Sequence, residues 1–371
     1  MKLDKNRLVQ IFLDLVRIDG VSLNERGVAN HVKSFLSDLD IDCVEDDVGN
    51  RIHGNCGNVI ATKKGSLDRD SILLMAHLDT VSSTKDLVPI IRDDKIHSSG
   101  NTILGADDRA GVAVILYLLE EISRNNYTHR DVEVVFSVAE ELGMYGSQEL
   151  DTNRLKSREG IILDCSRPLG SFVQHTPTAI DFTINIRGKA AHSGVAPEKG
   201  VNALLMSVKL VESMLPIGRI DDDTVANIGT INGGTAINVI PDQVKMTGEI
   251  RSFNDVTLKR IMSVYEKSAS DIASEYGGKI DVAFETGFQG FKLDSDLDII
   301  CELKRIFAEL DFDSNALRYY GGSDANVMNS KNIQTVNIGV GVNNPHSYDE
   351  YIGINDLYMT AHVISAILEV E

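Results

Sequence analysis

The hydrophobic pattern of this chain changes after His175 and changes back after Phe288, and this double switch limits what it can fold into. Before the switch, short apolar runs alternate with helical periodicity. SILLMAHLDTV (71–81), DVEVVFSVAEE (131–141) and EGIILDCS (159–166) read as strands, the first two apolar enough to be buried. Residues 5–18 and 24–38 have helical spacing, and AGVAVILYLLEEIS (110–123) is apolar on nearly every side, as a buried helix would be. Strands alternating with helices imply an α/β domain with a mostly parallel sheet and helices on both faces. Inside the switch, AIDFTINIRG (179–188) alternates like a half-exposed strand. A helix follows at 200–215, with Val201, Leu204, Leu205, Val208, Val211 and Leu215 at helical spacing. Strands near 224–231 and 243–252, a helix near 254–276 and the strand KIDVAFE (279–285) complete a βαββαβ order, the ferredoxin-like signature of a small α+β domain. A helix near 296–310, a strand QTVNIGVG (334–341) and a helix near 355–370 then resume the first pattern. The simplest division is an α/β domain made of residues 1–176 and 288–371, interrupted by an inserted domain at 177–287. A length of 371 residues agrees with two cores.

Composition removes several function classes. A net charge of −19 argues against nucleic-acid binding, which needs basic surface to neutralise phosphate. No uncharged apolar run reaches the roughly 18 residues of a membrane span. The start, MKLDKNRLVQIFLDLVRIDG, carries acids throughout and reads as an amphipathic helix rather than a signal peptide. The four cysteines are scattered without a CxxC pair, which disfavours a disulfide framework or a cysteine zinc site and fits the cytoplasm.

The residues with chemical potential gather at strand ends. In His77-Leu78-Asp79 the two polar residues face one side of a strand, and a carboxylate there can fix the tautomer of a metal-binding histidine. A lone HxD, however, reads first as a polar strand end. Asp107-Asp108 stands at the entrance of the apolar helix, where capping is the simpler reading and a metal bridge the functional one. Glu140-Glu141 ends an apolar strand, where charges are costly unless solvated or coordinated. Asp164 ends the next strand, and His346 follows the strand at 334–341. All of these sites follow or end strands of the larger domain, where open α/β sheets bind their ligands.

The runs HLDTV (77–81), TILGADDRAG (102–111), EELGMYGS (140–147), AHSG (191–194), GGSDAN (321–326) and PHSYDEYI (345–352) together resemble the M20 family of metallopeptidases, most of all its tripeptide aminopeptidases. The motifs occur in the family's order across nearly the whole chain. The resemblance implies a zinc-exopeptidase-like sheet with an inserted lid and dimerisation domain, hence a homodimer. It implies two Zn2+, with Co2+ or Mn2+ as substitutes. His77, Asp164 and one oxygen of Asp107 would hold the first ion; Glu141, His346 and the other oxygen of Asp107 would hold the second. Glu140 would be the general base and Asp79 a further member of the catalytic set, with a cis peptide between Asp107 and Asp108. His192 would stabilise the oxyanion in a neighbouring subunit, Arg251 would hold a substrate carboxylate, and Asn238, Gly322, Ser323 and Asp324 would line the substrate. Three protein ligands per ion leave room for a shared water, as a catalytic zinc requires.

The expected activity is release of the N-terminal residue from tripeptides by water that the metals activate and Glu140 deprotonates. The same metal chemistry would serve a dipeptidase, carboxypeptidase or deacylase, which differ in how the substrate's ends are held. A silent binding protein on this fold would have no use for Glu140. Chemistry in one domain and Arg251 and His192 in the other suggest closure over a short peptide.

Overall fold

The computed structural model describes residues 3–214 and 217–370, so Leu215 of the helix expected at 200–215 lies outside the described residues. The chain forms two compact units, Met1–His175 with Lys292–Glu371, and Thr176–Phe291.

The first unit is built on an eight-stranded sheet. Its order is Cys43–Glu45, Val59–Lys63, Val132–Ser137, Ile72–His77, Glu159–Cys165, Gln334–Gly339, Ser171–His175 and Asn315–Arg318. The central strands, from Val132–Ser137 to Gln334–Gly339, pair in parallel, and antiparallel pairings flank them. All six residues of Ile72–His77 and of Val132–Ser137 are buried, so both faces of the sheet are covered there. The helix Ala106–Asn125 packs on Ile72–His77 and Glu159–Cys165, and the helices Lys5–Val16 and Ile354–Ile367 pack on it in turn. Its all-round apolar sequence follows from this double packing. A small second sheet, ordered Val342–Asn343, Tyr351–Gly353, Lys95–His97 and Ile90–Arg92, was not evident from periodicity because its strands are two or three residues long. Among the described residues no helix is long and apolar enough to cross a membrane.

The second unit is an antiparallel sheet, ordered Gly218–Arg219, Thr224–Gly233, Gln243–Ser252, Thr178–Arg187 and Lys279–Phe288, with the helices Ala203–Ser213 and Asp255–Tyr276. Apart from the short strand Gly218–Arg219 the order is βαββαβ. Ile180, Phe182, Ile184 and Ile186 alternate into its core, where Phe182 meets Tyr265 edge to face at 5.5 Å. The helix Ala203–Ser213 turns differently from the stripe read in the sequence. Ala203, Met206, Ser207 and Leu210 face the core, while Leu204, Leu205 and Val208 are exposed by 37%, 46% and 60%. The middle of the stripe, Leu204, Leu205 and Val208, therefore looks outward, while Val201 and Val211 pack against the core. The unit is entered and left side by side: His175 bridges Lys292, and Thr176 donates its N–H to the Phe291 carbonyl at 2.9 Å.

Candidate metal centre

Parallel pairing brings the ends of separate strands to one edge. His77 closes Ile72–His77 and stands opposite Ser137, the last residue of its neighbour. Asp164 lies at the end of Glu159–Cys165, its N–H held by the Asn337 side chain at 3.1 Å. Asp107 comes from the start of the helix Ala106–Asn125. Gly105 precedes it at φ 70°, and a Cβ there would stand 3.0 Å from the Thr80 methyl, so the turn favours glycine on both counts. The Asp107–Asp108 peptide is cis. Glu350 fixes this turn by accepting the N–H groups of Gly105 and Asp107 at 2.7 and 3.0 Å. His346 is presented by a left-handed residue, φ 62°, in the loop between Val342–Asn343 and Tyr351–Gly353.

These side chains converge. His77 Nε2 is 3.3 Å from Asp107 Oδ1 and 3.7 Å from Asp164 Oδ1. His346 Nε2 is 3.3 Å from Asp107 Oδ2 and 3.0 Å from Glu141 Oε1. Asp107 thus offers a different oxygen to each histidine. His77 Nδ1 lies 3.0 Å from the Asp79 carbonyl, and donation there leaves Nε2 as the free, metal-facing nitrogen.

The strand expected at 131–141 stops at Ser137, and the chain turns at Ala139 with φ 51°. The reason is a pair of buried carboxylates that collect the turn's amides. Asp79 accepts from Glu140 and Glu141 at 3.0 and 3.1 Å, and Glu25 accepts from Ala139 at 2.9 Å. Asp79 is fully buried, takes the Ser22 hydroxyl at 2.7 Å, and lies with its Oδ1 3.3 Å from His77 Nδ1, where the sequence reading expected a carboxylate to orient that histidine.

Charge at the centre is one-sided. Burial pushes the Asp164 carboxyl well above the carboxylate range, and the Asp107 charge adds to this. Burial and then Asp164 do the same to Glu140. Burial pulls His77 down, but Asp107, Asp164 and Asp79 outweigh it and hold its pKa well above 6.5. Asp107 and Glu141 raise His346 to about 10. Glu141 Oε1 is buried and takes no hydrogen bond even with His346 Nε2 close by. Protons crowd onto a site short of positive charge, which is what divalent cations would supply. Among the described residues, ligand atoms of His77, Asp107 and Glu141 lie within 4.8 Å of one another, as do those of His77, Asp108 and Asp164. In the second group Asp108 is already committed, accepting from the His77 and Gly111 amides at 3.2 and 3.0 Å. The imidazole and carboxylate donors fit divalent ions such as zinc.

The remaining candidates lie apart from this cluster in role. Ser323 caps the helix Asp324–Ser330 with its hydroxyl, and Asp324 is buried with its two oxygens taking the hydroxyls of Ser137 and Ser147. These side-chain atoms are used inside the fold, so a contact of this loop with substrate would run through its backbone. Gly322 is half-buried just before them. In the second unit, His192 is exposed and bridges Val239, next to the exposed Asn238, whose carbonyl takes the Ser193 N–H at 3.0 Å. Arg251 holds Glu249 Oε2 through Nε and Nη2 at 3.0 and 2.9 Å and lies over the Phe288 ring. Sequence reasoning missed Glu25 and Glu350, while the capping reading of the Asp107-Asp108 pair fits Asp108, which accepts the Gly111 N–H in the first turn. Glu350 lies within the PHSYDEYI run, which sets it near His346 in the chain but does not point to the Gly105 and Asp107 amides it holds.

Residues 175–277 match the peptidase dimerisation domain of M20 enzymes. Residues 58–164 match peptidase family M28, a stretch that holds His77, Asp107, Glu141 and Asp164 and stops short of His346. The chain is 34% identical to the aminopeptidase PepT of Bacillus cereus, with a TM-score of 0.91, over 99% of this chain and 98% of that one. It is 31% identical to a tripeptidase of Staphylococcus aureus, with a TM-score of 0.94 and the same coverage. It is also 26% identical to peptidase T of Clostridium perfringens over 74% of this chain and 68% of that protein. Together, the fold, the clustered donors and these likenesses define a peptidase with a candidate metal site. The chain belongs to the M20 peptidases and is similar to peptidase T.

Proposed function

We propose that this peptidase is a zinc-dependent tripeptide aminopeptidase that releases the N-terminal residue of short peptides. The observation that carries the reading is the Asp107 carboxylate, whose two oxygens each face a different histidine at 3.3 Å. Full-length likeness to an aminopeptidase and a tripeptidase supports the choice of substrate. His77, Asp164 and Asp107 would hold one zinc, and Glu141, His346 and Asp107 the other; Co2+ or Mn2+ could replace zinc. Bound there, the ions would polarise the scissile carbonyl and make the attacking water more acidic. Glu140 takes the water's proton and passes it to the leaving amine. His192 Nδ1 accepts the Gly194 N–H at 3.2 Å, which puts the ring proton on the outward Nε2, and we assign that N–H to the developing oxyanion.

The direct test is product identification with tripeptides. A peptide free at both ends should give its N-terminal residue and a dipeptide, with activity lost on chelation and restored by zinc. Release of the C-terminal residue first would replace this reading with a carboxypeptidase. Arg251 is the candidate for the peptide's free carboxylate, where a guanidinium binds two oxygens at once. Amidating the C-terminus should then lower kcat/KM strongly, and Arg251→Ala should add little to that loss because both changes delete one contact. Additive losses would remove Arg251 from this role.

The partner of the exposed stripe is a second copy of this chain. Leu204, Leu205 and Val208 form an outward apolar face in the unit that matches a dimerisation domain. The double substitution Leu205→Asp, Val208→Asp is expected to turn a dimer into a folded monomer in sedimentation experiments. An unchanged dimer would place the interface elsewhere. The four cysteines are free, in keeping with a cytoplasmic location.

A further inference from the structure

We propose that Glu25 is a positioning residue for the reaction, its buried carboxylate pinning the turn that aims Glu140 and Glu141. The inference rests on the assignment of Glu140 as base. Glu25 precedes the helix Arg26–Ser37 and is fully buried. Its Oε1 accepts two amides, Leu23 from its own loop and Ala139 from the turn, each at 2.9 Å. Ala139 is the left-handed residue at which the chain leaves its strand, and the next two amides go to Asp79. Three successive N–H groups thus converge on two carboxylates.

Both carboxylates are held by one short loop. Ser22 donates its hydroxyl to Asp79 Oδ2, and Gly20 accepts the Thr80 N–H at 3.0 Å. Below the loop lies Arg109, 1% exposed, which donates to the Leu15 carbonyl at 3.2 Å and provides positive charge to Asp79 and Glu25. The turn's other backbone bonds join Val138, Ala139 and Glu140 to residues 143–146, and Asn58 holds its base, accepting the Val138 N–H at 3.1 Å and donating to the Gly146 carbonyl at 2.9 Å. Glu25 and Asp79 are therefore what ties the amides at 139–141 to the strand edge carrying His77. Loss of the Glu25 acceptor would free Ala139 to rotate and carry the base out of line, and small misplacements of reacting groups cost large factors in rate.

The test compares Glu25→Leu, which removes the acceptor, with Glu25→Gln, which keeps a carbonyl oxygen in its place. Glu25→Leu is expected to lower kcat by about 10–100-fold with little change in KM. In the metal-free protein it should also speed hydrogen exchange at the amides of residues 139–141, leaving the strands alone. Glu25→Gln should keep most of kcat and the slow exchange. Wild-type kcat with unchanged exchange in Glu25→Leu would overturn the proposal. So would a folded Glu25→Gln protein with a large loss of kcat, a result that decides the matter even if the leucine variant does not fold. Full turnover in Glu140→Gln would instead overturn the base assignment, while exchange at 139–141 would still report on the Glu25 contact.

Discussion

Glu140→Gln is expected to keep both metal ions and to lose turnover by at least about 10²–10⁴-fold, the usual contribution of a general base. The substitution preserves shape and leaves the Glu140 amide on Asp79, so the turn stays in place. It leaves untouched the five groups assigned to the ions, among them Glu141, whose amide also rests on Asp79. What changes is one site for a proton. Burial and the Asp164 charge already hold the Glu140 carboxyl above its ordinary range, so it has unusual affinity for a proton before the ions bind. A glutamine amide has no such affinity. Elemental analysis beside steady-state kinetics checks the expectation, and near-normal kcat in a metal-replete variant would sink it.

Asp107→Ala should abolish activity by a different route, emptying both metal positions, whereas His346→Ala should weaken one. The difference follows from Asp107 facing His77 with Oδ1 and His346 with Oδ2, while His346 faces only Asp107 and Glu141. Melting of the metal-free protein separates this loss from unfolding. There burial pushes the Asp107 carboxyl up, but His346 and His77 outweigh it and hold the group well below the usual carboxylate range, so its removal costs the metal-free fold those contacts. A metal-free Asp107→Ala protein is therefore expected to melt lower than the metal-free parent but to stay folded at the temperature of the titration. Calorimetric titration with zinc measures the stoichiometry, and two tight sites in Asp107→Ala would refute the bridge.

Periodicity exposed the fold class because long elements repeat their burial many times. Ile180, Phe182, Ile184 and Ile186 alternate inward along one strand, and the all-apolar helix Ala106–Asn125 could only be a buried one. Two- and three-residue strands such as Ile90–Arg92 repeat nothing and left no trace. The helix Ala203–Ser213 misled for the opposite reason. It is apolar on more than one side, and Leu204, Leu205 and Val208 point outward while Met206 and Leu210 face the core with Val211 against it. At the site, His77, Asp107, Glu141, Asp164 and His346 were legible because each lies at or just past an element end, and all but Asp164 fall within a short motif. Glu25 and Glu350 were not. Each works through backbone amides, 114 residues away at Ala139 and 243 at Asp107, and an amide has no sequence signature. The bracing role of the Ser323 and Asp324 side chains was equally hidden, because local sequence does not reveal which distant hydroxyls or amides a polar group meets.

The paired crossing at His175–Lys292 and Thr176–Phe291 has a bearing on how such a chain can be assembled and altered. To the host sheet, everything between those residues is equivalent to a hairpin tip, because the two ends leave and return as neighbours. The entropy of closing that excursion rises only with the logarithm of its length, so most of the cost is met by the inserted unit's own core. The host strands keep their register whatever occupies the tip. A lineage could therefore lengthen, trim or exchange the insertion while the edge that gathers His77, Asp107 and Asp164 stayed as it was.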